Sequence, residues 1–265
     1  MKSVNFDRAA EYYDATRALP EEAMASLLRV LVTELAPRQP CLEIGVGTGR
    51  IALPLHARGI AMAGLDISEA MLRRLVSNAD GVRPFSLLLA DASGLPLAAG
   101  SFGSVLAVHV LHLIPAWQEA VDEAVRVLRP GGALVASFPS GEAGTQQQHL
   151  MAPWRPAVRE VLARHGIARA RSGARTARDV EAYLGDRATA RMLPPVRVLE
   201  TQTLAGTLRD LEEQLYSWTW PYPREQLLAA GADIRAWAQG QDVRLDEEHP
   251  VEGTLEWWAF DVASR

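Results

Sequence analysis

Along residues 21–36, EEAMASLLRVLVTELA, apolar side chains recur every three or four positions, the period of a helix that buries one face. Pro37 and Pro40 end that pattern just before a short apolar run opens at Cys41. From there runs of strand length alternate with amphipathic stretches. The strands are predicted at CLEI (41–44), AMAGL (61–65), SLLLA (86–90), SVLAV (104–108) and ALVASF (133–138), with helices over 50–58, 68–79 and 116–128. Strands that are apolar on both faces and take turns with helices across short connections predict a parallel sheet covered on both sides. After Phe138 the rhythm changes: SGEAGTQQQH reads as a polar loop, and a mostly helical stretch follows. VRVLETQTL (196–204) and LEWWAFDVA (255–263) then read as the sixth and seventh strands of the same sheet. Thr176-x-x-Asp179 and Thr207-x-x-Asp210 have capping-box spacing and predict a helix start at each.

Composition narrows the possible partners. With 27 basic against 32 acidic residues and a formal net charge of -5, the chain lacks the basic excess of a protein that clings to a nucleic-acid backbone. Cys41 is the sole cysteine, so an internal disulfide is impossible, and the absence of a compact Cys/His cluster predicts no metal site. MKSVNFDRAAEYYDATR has no uninterrupted apolar core of a secretion signal, and no stretch reaches the ~18 apolar residues of a membrane span. A cytoplasmic protein is expected. Six of the seven tryptophans follow residue 140, as core side chains or as an aromatic surface for a ligand.

The most specific segment is CLEIGVGTGRIALPL. A buried strand runs into Gly45-Val46-Gly47-Thr48-Gly49 and then into a helix, which permits a tight turn and close approach of backbone to a ligand. Arg50 stands where a dinucleotide fingerprint needs its third glycine, and no GK[ST] ending marks a phosphate-binding P-loop. Glu43-x-Gly45-x-Gly47-x-Gly49 instead resembles motif I of the class I S-adenosylmethionine-dependent methyltransferases, small-molecule branch. The resemblance extends through Asp66 after the second strand, Asp91-Ala92 after the third, HVLHLI after the fourth and LRPGGALVASF around the fifth, covering residues 41–138 in order.

That resemblance implies a doubly wound, Rossmann-like α/β fold with a mostly parallel seven-stranded sheet, helices on both faces and an added helical lid. Residues 1–138 would hold the N-terminal helices and the cofactor-binding half of the sheet. Residues 139–265 would supply lid insertions and the last two strands of the same domain. S-adenosylmethionine is the implied cofactor. Asp66 would accept from its ribose hydroxyls, Asp91 and the amide of Ala92 would read adenine, and Ile67 and Met71 would pack on the adenine faces. Val108 would join Glu43 and the three glycines in lining the site. FDRAAEYYDATR is similar to the N-terminal helix of that branch, so Tyr13 and Arg17 would meet the methionyl carboxylate, which a guanidinium suits.

Because a sulfonium methyl is already electrophilic, the protein's task is to align a nucleophile with it and exclude water. His109, just beyond the fourth strand, is the candidate general base; His112 matches a position the family uses for a structural hydrogen bond. His112, Trp218, Trp220 and Tyr222 are candidate substrate-lid residues over a small-molecule acceptor. Two other readings stay open at this point, a methyl-donor-binding protein without turnover and a methyltransferase acting on RNA or protein.

Overall fold

The computed structural model describes residues 3–138, 151–168 and 172–263. A short helix α1 (Tyr13–Arg17) and a longer α2 (Glu21–Leu35) lead into β1 (Cys41–Ile44), α3 (Ala52–His56), β2 (Met62–Asp66), α4 (Glu69–Asn78), β3 (Ser86–Leu89) and β4 (Phe102–Val108). Then come α5 (Trp117–Val127), β5 (Leu128–Ser137), α6 (Arg155–Arg164), α7 (Ala177–Leu184), β6 (Ala188–Met192) and β7 (Val196–Gln202). The remaining elements are α8 (Leu204–Glu212), α9 (Arg224–Gly240), β8 (His249–Leu255) and β9 (Trp257–Val262). The stretch SGEAGTQQQH, expected to be a polar loop, lies outside the described residues.

The chain divides into two compact units, 1–147 with 172–196 and 254–265, and 148–171 with 197–253. The first unit holds a seven-stranded sheet in the order β3-β2-β1-β4-β5-β9-β6. Neighbours among β1 to β5 run parallel, whereas β9 is antiparallel to both β5 and β6, with Val135 opposite Ala259 and Ala190 opposite Phe260. This is a Rossmann-like, doubly wound arrangement. On one face Leu42, Ile44, Val105, Leu134 and Ala136 join Val121 and Ala124 of α5 and Val180 and Leu184 of α7 in one apolar cluster. The alternate residues Cys41, Leu106 and Val135 are fully buried as well, so the other face is also covered, as parallel strands require.

Side-chain caps mark the starts of three helices. Ser68 caps α4 by accepting from the Met71 amide at 3.1 Å. Thr176 and Asp179 form the expected capping box at the head of α7. The corresponding expectation for Thr207 is not met: α8 starts one turn earlier, capped by Thr203, whose hydroxyl oxygen accepts from the Gly206 amide at 2.9 Å. Thr207 sits inside that helix and donates to the Thr203 carbonyl.

The sixth-strand expectation is corrected in the same way. Residues 196–202 are extended, but they form a separate two-stranded sheet with β8. The edge of the main sheet is β6, ATARM, which alternates apolar and polar residues but over only 5 residues, with alanine at two of its three apolar positions. It is held partly by charge, since Arg191 donates to Asp261 of β9 at 2.6 Å and reaches Glu34 of α2 at 2.5 Å.

The second unit is mainly helical around Trp154, Val161, Leu208, Leu211, Leu227 and Ile234. Tyr222 ties it internally, donating to the Ala168 carbonyl at 2.7 Å and accepting from the Ala168 amide at 2.9 Å. Trp220 donates to the Gln214 carbonyl at 2.8 Å, and Trp218 packs against the apolar cluster. Trp154 and Trp257 are almost fully buried, which makes these two tryptophans core residues of their units.

Candidate cofactor site

A doubly wound sheet binds its ligand outside the carboxyl ends of its strands, where the order reverses, here between β1 and β4. The structure places a solvent-open cleft there. Its lining gathers Tyr13, Gly45, Gly47, Asp66, Ile67, Met71, Asp91, Ala92, Val108 and His109 from five separate stretches of chain. Of the candidate cofactor residues, Arg17, Glu43 and Gly49 stand outside that lining, as does His112.

The loop after β1 takes its shape from glycine. Gly45 has φ +66, and a Cβ there would come within 2.6 Å of the Val110 side chain, so only glycine allows the loop to lie against the stretch that follows β4. Gly47 has φ +55, yet a Cβ on it would meet nothing nearer than the Gly45 carbonyl oxygen at 4.0 Å. That open space belongs to the cleft wall.

Asp66 closes β2 and braces this loop. Its Oδ2 accepts from the Gly47 amide at 2.9 Å and its Oδ1 from the Ser68 amide at 2.8 Å. Burial pushes its pKa above the ordinary carboxylate value, while those backbone donors pull it back. Each oxygen keeps a lone pair for a ligand hydroxyl. At the far end Asp91 is held by the amide and hydroxyl of Ser93, at 2.9 and 2.8 Å, and Ser3 donates to its other oxygen at 3.4 Å.

Beneath the loop Glu43 is 2% exposed, and its Oε2 makes no hydrogen bond. Desolvation pushes this carboxyl up to about 8, opposed by the charge of Arg50 and reinforced by that of Asp66. An orphaned, buried acceptor of this kind fits a group that arrives with positive charge. It also predicts a pH dependence. A carboxyl protonated in the folded state and ionised in the unfolded one makes the free protein lose stability as pH rises from about 4.5 towards about 8. Glu43→Gln should therefore raise the melting temperature of the ligand-free protein by several degrees at pH values above that range and little at the acid end, as read by calorimetric scans. A variant with unchanged pH dependence would show that Glu43 is ionised in the free protein.

His109 follows β4 with φ +47, and its amide donates to the Ser137 carbonyl and hydroxyl. Burial pushes its imidazole down to about 3, with the charges of His112, Arg50 and Arg17 acting in the same direction. It is thus a neutral hydrogen-bonding group at ordinary pH. Burial raises the Tyr13 phenol.

Sequence reasoning missed the strap that roofs the cleft, where Ser3, Val4 and Phe6 join Tyr13, and Phe6 meets the Tyr13 ring edge-on at 6.0 Å. It also passed over Val110, Leu113 and Ile114, apolar residues without a chemical signature. Arg50 carried a signal that was read only as a broken fingerprint; its charge acts on Glu43, Tyr13 and His109 alike. Arg17, the expected carboxylate contact, lies over the Tyr13 ring at 5.5 Å and donates to the Thr16 carbonyl. No group of metal-ligating side chains occurs among the described residues.

A glycine loop at the switch point, carboxylates closing the next two strands, and a sheet whose last-formed strand is antiparallel define a class I, S-adenosylmethionine-dependent methyltransferase fold. Residues 42–136 match the family model of a methyltransferase domain, and this part of the chain belongs to that class. Among characterised relatives, a malonyl-[acyl-carrier protein] O-methyltransferase of Methylococcus capsulatus is 35% identical over 142 residues, 51% of this chain and 50% of that protein. A demethylmenaquinone methyltransferase of Clavibacter sepedonicus is 34% identical over 139 residues, 50% of this chain and 56% of that protein. The chain thus spans about half the length of the curated relatives it matches. Among solved structures, a putative type II methyltransferase from Anaeromyxobacter dehalogenans superposes with a TM-score of 0.61 at 19% identity, covering 93% of this chain and 98% of that one. A methyltransferase of Thermotoga maritima gives 0.54 at 20% identity, covering 97% and 98%. At such identity these two structures support the fold. S-adenosylmethionine is the cofactor of the class.

Proposed function

We propose that the protein transfers the methyl group of S-adenosylmethionine by direct in-line displacement to a small-molecule acceptor. The observation that carries this reading is the pair Asp66 and Asp91, set at the ends of adjacent strands β2 and β3 and lining one cleft with the Gly45-to-Gly47 loop. The cofactor supplies a methyl group already activated on a sulfonium, so the protein's residues need only bind, orient and dehydrate. Asp66 takes the ribose hydroxyls, Asp91 and the Ala92 amide take the adenine edge, and Ile67 and Met71 face the ring. Glu43 lies under the aminoacyl end, and the guanidinium of Arg50 suits its carboxylate.

A small acceptor is supported by the acidic charge balance and by the demethylmenaquinone methyltransferase among the relatives, whereas the malonyl-[acyl-carrier protein] O-methyltransferase takes a group carried by a protein. Among the described residues no helix is long and apolar enough to cross a membrane. Calorimetric titration with S-adenosylmethionine and S-adenosylhomocysteine, beside NAD, tests the cofactor reading directly. Binding of the first pair with NAD silent supports it, and silence from the pair overturns it.

His109 is assigned as a polar wall of the reaction site. A base this reluctant to accept a proton contributes little to proton removal, so the acceptor must be nucleophilic without it. His109→Gln should leave the pH–rate profile unchanged in shape and the rate within about threefold. Loss of a limb between pH 6 and 7, on the order of the ordinary imidazole pKa, would restore His109 as a base.

A further inference from the structure

Tyr13 and Asp14 are neighbours on α1, but they face different spaces. Tyr13 lines the cofactor cleft, whereas Asp14 lines a second opening behind the glycine loop, together with Thr48, Gly49, Arg50 and Asn78. There Asp14 accepts two hydrogen bonds. Its Oδ1 takes the hydroxyl of Thr48, a residue only 1% exposed, and its Oδ2 takes the side-chain amide of Asn78 at 2.9 Å. Asn78 also donates to the Thr48 carbonyl at 3.1 Å, which closes a three-membered ring of contacts, and Arg74 stands 3.9 Å from Asp14. The middle residue of this ring lies between Gly47 and Gly49. Asn78 is the last residue of α4, and Ile67 and Met71 sit at the other end of that helix.

We propose that Asp14, Thr48 and Asn78 form a positioning clasp that sets the aminoacyl half of the cofactor site by fixing Tyr13 against the Gly47 turn. None of the three residues contributes to the cleft lining itself. The clasp acts from behind: it holds the wall that carries Tyr13 and the floor that carries Gly47 at one separation. The adenosine half depends on it less: Asp66 also accepts from the Gly47 amide, but Asp66 and Asp91 keep the amides of Ser68 and Ser93 as braces when the clasp is cut. The clasp should therefore matter far more for the tail of the ligand than for its nucleoside. This inference rests on the cofactor reading above.

The test compares two ligands on the full chain, S-adenosylhomocysteine and 5′-methylthioadenosine, which shares the nucleoside and thioether but lacks the amino-acid tail. Thr48→Val keeps the shape of the side chain and removes its hydroxyl; Asp14→Ala removes the acceptor. Each should weaken S-adenosylhomocysteine about tenfold, as the loss of a hydrogen bond to a charged group implies, and leave 5′-methylthioadenosine within about twofold. The double variant should be no weaker than the poorer single one, because both remove the same contact. Thr48→Ser, which restores the hydroxyl, should bind like the parent. Equal losses for both ligands, or none for either, would overturn the clasp and leave these residues a purely structural role. If the parent protein binds neither ligand, it is the cofactor reading that fails, and the clasp fails with it.

Discussion

Replacing Asp66 with alanine is expected to weaken S-adenosylhomocysteine about a hundredfold, the effect of losing two hydrogen bonds from ribose hydroxyls to a carboxylate. The structure adds a second route to the same loss. Asp66 already accepts from the Gly47 amide at 2.9 Å, so alanine also releases the turn that shapes the cleft floor. Asp66→Asn should fall between the two, since its amide oxygen can still accept from one of these donors while the charge is gone. Calorimetric titration measures the affinity, and circular dichroism checks that the sheet persists, which it should, because Asp66 belongs to the mouth of the cleft and not to the apolar cluster. Undiminished affinity for the alanine variant would mean that the ribose is held elsewhere.

Gly47→Val should abolish measurable cofactor binding. A valine in the left-handed region is strained by about 1–2 kcal/mol or more, because its branched Cβ crowds the following carbonyl. The structure separates this strain from collision. A Cβ at Gly47 meets no atom closer than 4.0 Å, so the variant should fold with a lowered melting temperature while its side chain occupies cleft space. Gly45 offers the contrast. There a Cβ lies 2.6 Å from Val110, so even Gly45→Ala must push apart the loop and the stretch after β4, and folding itself should suffer more. Melting curves beside titrations distinguish the two glycines. A Gly47→Val protein that binds like the parent would remove this turn from the site.

What was legible in the sequence follows from how strictly chemistry constrains each position. Gly45 and Gly47 could be placed because a tight turn demands glycine there, Asp66 and Asp91 because their positions after successive strands resemble the methyltransferase pattern, and all four line one cleft. Arg17 was named as the carboxylate contact and Arg50 was passed over as a broken fingerprint. In a chain whose basic residues are nearly all arginine, a guanidinium has no sequence signature of its task, and only the fold shows which charges reach Glu43. Ser3 and Phe6 were invisible because their place in the cleft depends on the path of the N-terminal strap and not on local pattern. β6 was missed for a different reason: its alternation spans only 5 residues with alanine at two of the three apolar positions, and Arg191 bridging to Glu34 and Asp261 supplies part of what holds the strand. β7 was recognised as a strand but assigned to the wrong sheet, since periodicity reports conformation and says nothing of which neighbour a strand pairs with.

The position of β9 has a kinetic consequence. This strand lies between β5 and β6, so the parallel part of the sheet presents β5 as an open edge until residues 257–262 arrive. Every pairing that β9 makes with β5 closes a long loop of chain, and such non-local pairing slows the rate-limiting step of folding. During synthesis the nascent protein therefore passes through a state in which the strand ends bearing Gly45, Asp66 and Asp91 have been made while the β5 edge, beyond β4, is uncovered. In that interval the growing chain is most exposed to aggregation and most dependent on chaperones.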